Sequence, residues 1–192
     1  NTPATMYGCN KLACEHLGRY YAYHYKQLDA EVHAERVDFR ALRFPGLISA
    51  LTVPSGGTSD YAPEMLHAAA KGERYGCFVR PDAQIPFMTM PDAIDAIFAV
   101  TDCDRDRLTR QVYNLAAFHP TAEEIRALVM EKFPGAAIGW KLDDKRMAII
   151  DSWPAAVDDA AARRDWGFAP RHDLARAFDE YLVPNIRAKY EG

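Results

Sequence analysis

Apolar residues recur along this chain in two alternating rhythms, one helical and one strand-like, and that alternation restricts the fold more than any other feature. Residues 5–26 carry Leu12, Ala13, Leu17, Tyr20, Tyr21 and Tyr25 at helical spacing among good helix formers, which predicts one long helix. Residues 27–36 are polar and of mixed charge, as in a solvated connector. Residues 37–44 alternate as a strand and stop at Pro45-Gly46. A turn-rich stretch, 52–59, precedes a short helix with Asp60 as its cap and Gly72 as its stop. Strands are expected over 75–79, 85–90, 112–116 and 136–140. Helices are expected over 91–100, with Pro91 in first position, and over 121–133, opened by Thr121 with Glu123 and Glu124 in the first turn. Residues 158–166 and 173–187 read as closing helices. Helices alternating with strands predict an α/β protein with at least part of a parallel sheet.

Composition narrows the function. With 192 residues, 49% of them hydrophobic and 26% charged, the chain is ordinary globular material long enough to bury a sizeable core. A net charge of −4 with both signs interspersed gives no basic field for a phosphate backbone, so no nucleic acid is expected as a partner. The four cysteines form no C-x-x-C pair and the histidines no H-E-x-x-H, so no metal is expected. Reduced thiols suit a cytoplasmic protein. No apolar run approaches the ~18–20 residues of a membrane helix. The sequence opens on Asn1 and enters its first patterned segment within a few residues, which raises the expectation that it starts partway through a domain.

Tyr7 and Lys11 stand four residues apart, which sets both on one face of the first helix. An ammonium beside a phenol favours phenolate, so such a tyrosine is suited to general acid/base work and the lysine to ribose hydroxyls. Taken by themselves, Pro45-Gly46 read as a strand-ending turn and Gly57-Thr58-Ser59 as a glycine loop capped by Asp60. Trp153 and Trp166 read as core packing, and Asp92 as a carboxylate placed for a helix dipole. None of the six histidines needs a role.

The segments MYGCNKLACEHLGRYY, FRALRFPGLIS, PSGGTSDYAPEMLHAAAKG, IPFMTMPDAIDAI, VYNLAAFHPTAEEI and DSWPAAVDDAAARRDWGF resemble, in this order, the extended short-chain dehydrogenase/reductase family. This family also contains nucleotide-sugar epimerases, and the run from GGTSDYA to DSWP is similar to its threonine-dehydrogenase branch. The resemblance implies an incomplete Rossmann-like NAD(P)-binding fold that lacks its N-terminal strands, with a small α/β substrate lobe. Residues 1–50 and 86–118 would belong to the Rossmann-like part, 51–85 and 119–192 to the substrate lobe.

It further implies Tyr7 as the acid/base and Lys11 as the ribose ligand. Pro45, Gly46 and Leu47 would lie along the nicotinamide, and Gly57, Thr58 and Ser59 along the substrate, L-threonine, oxidised with NAD to 2-amino-3-oxobutanoate. A homodimer would form through the Tyr7/Lys11 helix. Two other readings stay open: a nucleotide-sugar epimerase or dehydratase, and a non-catalytic module that pairs through the first helix by Leu17, Tyr20, Tyr21 and Tyr23. Against the family pattern, no G-x-G-x-x-G or G-x-x-G-x-x-G run occurs, no Ser or Thr lies far enough upstream of Tyr7 to polarise a substrate hydroxyl, and the connector after the first helix is several residues long. These absences make the chain resemble the C-terminal part of such an enzyme, inactive alone.

Overall fold

The structure, a computed structural model, describes residues 2–26 and 37–191; the connector expected over 27–36 lies outside them. The Thr5 hydroxyl accepts from the Gly8 N–H at 3.1 Å and caps α1, Met6–Tyr23. There follow β1 (Ala41–Arg43), β2 (Gly46–Ile48), α2 (Tyr61–Lys71), β3 (Arg74–Cys77), β4 (Phe87–Thr89) and α3 (Met90–Asp102). The second half runs through β5 (Val112–Asn114), α4 (Ala122–Lys132), β6 (Ala137–Trp140), α5 (Asp144–Asp151) and α6 (Ala160–Trp166). A closing helix consists of α7 (Leu174–Arg176), a π-helical stretch (Ala177–Leu182) and α8 (Val183–Glu191).

Among the described residues three strand pairs form, all parallel: β1 with β5, β2 with β4, and β3 with β6. Parallel neighbours need crossovers, and the intervening helices supply them, so the fold is α/β as the alternation required. The expected strand over 37–44 is shorter, because pairing begins only at Ala41. Pro45-Gly46 is a junction between two strands and not a stop. Proline has no N–H to continue the ladder of β1, and the chain resumes when the Gly46 N–H donates to the Pro86 carbonyl at 3.0 Å. Gly46 is required there, since a Cβ would lie 2.8 Å from the Phe87 ring.

Alternation on β2 and β4 then divides the interior. Ile48 and Phe87 point into one buried cluster, with Tyr61, Met65, Ile125 and Phe178. Leu47 and Met88, one residue along, face a second, with Tyr113, Leu115, Trp166 and Phe168. The second cluster draws α6 onto the β1–β5 side.

Several local expectations are met and others corrected. Gly72 ends α2 in the left-handed region at φ 68°, and Thr121 with Glu124 forms a reciprocal capping box on α4. Thr89 caps α3, which places Pro91 second and not first. Asp60 stands at the N-cap position of α2 as expected, but its side chain makes no capping bond: the carboxylate turns back and accepts the N–H groups of Ser55, Gly56 and Gly57 at 3.1, 3.1 and 2.7 Å. Helix α5 was not expected. The Asp143 carboxylate opens it by accepting from the Lys145 and Arg146 N–H groups at 3.0 and 3.1 Å, and Met147 and Ile150 bury its inner face.

Two buried carboxylates fasten the second cluster. Asp92 is more than a charge at a helix start. It accepts from the Arg171 N–H at 3.0 Å, from His172 Nδ1 at 2.9 Å and from the Thr89 hydroxyl at 3.0 Å, tying α3 to the loop before α7 and giving His172 a role. Asp165 accepts from the Tyr113 hydroxyl at 2.8 Å and the Thr109 N–H at 3.0 Å, joining α6 to β5. Burial opposes its charge, but the bonds from Thr109 and Tyr113 outweigh burial and hold the carboxyl at about 2. That lies below the ordinary aspartate value of about 3.9, so the bonds stabilise fully above about pH 4, and their contribution is lost as pH falls toward about 2. Asp165→Asn is expected to lower stability by about 1.5–3 kcal/mol at neutral pH and to remove this share of the acid sensitivity, read as urea midpoints between about pH 5 and pH 2.5. Gly46→Ala is expected to cost about 1–3 kcal/mol, since buried Phe87 must move, and thermal unfolding measures it.

Candidate active site

The carboxyl ends of β1 and β5 open onto a cleft of about 610 Å³, whose walls include Tyr7, Pro45, Gly46, Ser59, Asn114 and Trp153. A second groove of about 960 Å³ runs between α1 and β1 and is lined by Tyr7 and Lys11. Tyr7, Arg43, Phe44, Trp153 and Pro154 belong to both, so the two spaces meet at Tyr7. Open α/β sheets bind ligands at strand carboxyl ends, and this junction lies at such a place.

Helix α1 is positioned by charge and by shape. The Arg43 guanidinium, at the end of β1, donates to both Glu15 carboxylate oxygens at 2.7 and 2.6 Å, a fork that fixes the helix relative to the strand. The hydrogen bond that Arg43 donates to Glu15 raises the Arg43 pKa above its ordinary value. Gly18 lets the helix lie on Phe39: a Cβ there would fall 2.3 Å from the ring. Tyr7, capped into place by Thr5, is 72% exposed at the mouth of the cleft, and the Lys11 ammonium lies over its ring, 5.3 Å from the centroid.

The residues expected from sequence divide accordingly. Tyr7, Pro45, Gly46 and Ser59 meet at the cleft, and Lys11 lines the adjoining groove. Leu47 does not line either space and packs against the second core cluster. Gly57 and Thr58 also stand outside both linings, and the Gly57 backbone is already used: its N–H goes to Asp60 and its carbonyl accepts from Arg146 Nη2 at 2.7 Å.

Trp166 is core, stacked edge-on against Tyr113, as expected. Trp153 is not: it is 39% exposed on the cleft rim. Sequence gave no sign of this, because the short helix α5 that delivers Trp153 to the rim carries only two buried residues and little periodicity. Among the described residues no group of His, Cys, Asp and Glu could hold a metal ion, and no helix is long and apolar enough to cross a membrane.

Parallel strands, crossover helices and a Tyr-x-x-x-Lys helix at the strand ends define a Rossmann-like α/β chain of the short-chain dehydrogenase type. No protein-family model matches the chain. It is similar to an uncharacterized epimerase/dehydratase of Staphylococcus haemolyticus, 42% identical over 97% of this chain and 56% of that protein. The mitochondrial L-threonine 3-dehydrogenase of Bos taurus is 38% identical over 90% of this chain and 43% of that protein. The X-ray structure of L-threonine dehydrogenase from Clostridium difficile superposes with a TM-score of 0.88 at 33% identity, over all of this chain and 57% of that one. Over nearly its whole length this chain is similar to the epimerases, dehydratases and threonine dehydrogenases of the extended short-chain dehydrogenase/reductase type. It spans about half the length of the curated relatives it matches.

Glu15→Gln is expected to loosen α1 without unfolding the cores. Amide exchange over α1 should quicken about 10-fold while that of α2 and α4 stays unchanged.

Proposed function

We propose that this chain provides the catalytic helix and substrate lobe of an NAD-dependent L-threonine 3-dehydrogenase. The observation that carries the reading is the placement of Tyr7, held by the α1–β1 ion pair where the cleft and the groove meet. The residues fit the nicotinamide-ribose end of NAD. Lys11 offers an ammonium along the groove, and Pro45 and Gly46 offer close backbone at the strand junction. The chain has no glycine-rich run for the pyrophosphate, so these 192 residues alone are expected neither to bind nor to reduce NAD.

When bound, NAD supplies the acceptor for the hydride that leaves the β-carbon of threonine. Tyr7 takes the β-hydroxyl proton onto its phenolic oxygen, with the positive charge of Lys11 beside the ring. Ser59 offers a hydroxyl to the amino acid's polar groups, Gly57 and Thr58 shape the loop that presents it, and Leu47 supports the nicotinamide wall from within the core. The two buried clusters follow a division into a Rossmann-like part, 1–50 with 86–118, and a substrate lobe, 51–85 with 119–192, only in outline: Ile48, Ala50, Phe87 and Phe118 pack with the lobe's cluster, and Ala162, Trp166 and Phe168 with the other. We assign the protein to the cytoplasm, with a small-molecule substrate and no nucleic-acid partner. A homodimer through α1 is supported by the exposure of Leu17, Tyr20, Tyr21 and Tyr23 on that helix. The name of the Staphylococcus relative favours a second reading, an epimerase or dehydratase, for which we propose a nucleotide sugar as the substrate.

The test replaces the matching stretch of bovine L-threonine 3-dehydrogenase with this chain. Threonine-dependent NADH formation is expected, and Tyr7→Phe should lower kcat about 10²–10⁴-fold with unchanged circular dichroism. Absence of NADH with turnover of a UDP-sugar would transfer the assignment to the second reading. Sedimentation velocity of the 192 residues alone should show self-association, because Val37, Ile97 and Phe98 join the α1 side chains at the surface.

A further inference from the structure

The two walls of the cleft are joined through one side chain. On one side, loop 55–59 ends in Ser59; on the other, the segment after α5 contributes Trp153, Pro154 and Val157. Arg146 sits near the start of α5 and reaches across to the loop, where its Nη2 donates to the Gly57 and Gly56 carbonyls at 2.7 and 3.4 Å. Its guanidinium lies over the buried Phe78 ring, with Cζ 3.2 Å from the centroid. Asp60 gathers the N–H groups of the same loop, so its backbone is held from both directions.

At the other end of α5 the Trp153 N–H donates to the Ile150 carbonyl at 3.0 Å, which carries the helix directly into the rim. Arg80 pairs with Asp151 through two contacts of 2.9 Å and fixes that end from outside. Eight residues of helix are a rigid rod about 12 Å long.

We propose that Arg146 is a positioning residue that makes α5 a strut between loop 55–59 and residues 152–158, so that both walls keep one spacing around a small polar ligand. The identity of that ligand, a hydroxy amino acid, rests on the dehydrogenase reading; the strut does not. A surface arginine kept only for charge would have its guanidinium in water. Here the guanidinium grips the backbone of one wall and lies over an aromatic ring of the core, while the helix it belongs to supplies the other wall.

Hydrogen–deuterium exchange on the 192-residue chain tests the strut. Arg146→Ala is expected to speed exchange about 10-fold at 55–57 and also at 152–153, with α2 and α4 unchanged. Arg146→Lys keeps the stem over Phe78 but loses the fork, and should give the same two-segment pattern at smaller amplitude. Faster exchange at 55–57 alone, or equal acceleration throughout α2 and α4, overturns the proposal. If Arg146→Ala fails to fold, the Lys variant decides, and wild-type exchange at 152–153 in it overturns the strut. In the bovine chimera Arg146→Lys should raise KM for L-threonine more than it lowers kcat, and a fall in kcat alone would overturn a role in spacing the walls. If the chimera with Arg146 intact makes no NADH, the dehydrogenase reading fails and the exchange data alone judge the strut.

Discussion

The close approach of Gly46 to Phe87 is the contact on which the remaining architecture depends. Strands β2 and β4 lie between two cores, and a single residue of register decides which side chains enter each. With Gly46 opposite Phe87, Ile48 and Phe87 fill one interior and Leu47 and Met88 the other. A slip by one position would exchange the two sets and leave Phe87 facing the smaller cluster. The Pro45-Gly46 junction therefore does two things at once. It ends the ladder of β1 where the cleft must open, and it begins the strand that separates the cores.

Charge then refines what packing has placed. The Arg43 fork to Glu15 acts between a strand end and a helix, and it sets the angle at which Tyr7 meets the cleft. Asp92 and Asp165 act more deeply, each satisfied by several donors, and each joins an element late in the sequence to one much earlier. Buried carboxylates satisfied in this way specify one arrangement, because half of such a network is worse than none.

Most of the helices, and the strand-helix alternation, were legible because periodicity and caps are local signals. The long first helix, the Gly72 stop and the Thr121 capping box all came through. What stayed hidden was non-local. Pro45-Gly46 reads as a stop until Phe87, some forty residues later, is seen to require a glycine. Asp60 fits a helix cap in sequence, but the N–H groups of the preceding glycine loop compete for its carboxylate and win. Trp153 and Arg146 lie on a helix with two buried residues, too few for a period to show. At the site, Tyr7 and Lys11 were evident from spacing, whereas the neighbours that hold them, Glu15 and Arg43, are joined across 28 positions and carry no motif.

Parallel pairing also fixes how this chain must find its shape. Ala41 meets Val112, Gly46 meets Phe87 and Arg74 meets Ala137, so every strand pair closes a long loop before it gains a single ladder bond. Loop entropy is spent first and repaid late, which places such chains among the slower folders while their helices form within microseconds. During that interval the strand segments 41–48 and 87–89 are apolar, extended and unpaired. Arg40 precedes the first of them and Arg43 lies within it, and like charges on that stretch in neighbouring molecules discourage the wrong partner while the right one is still being made.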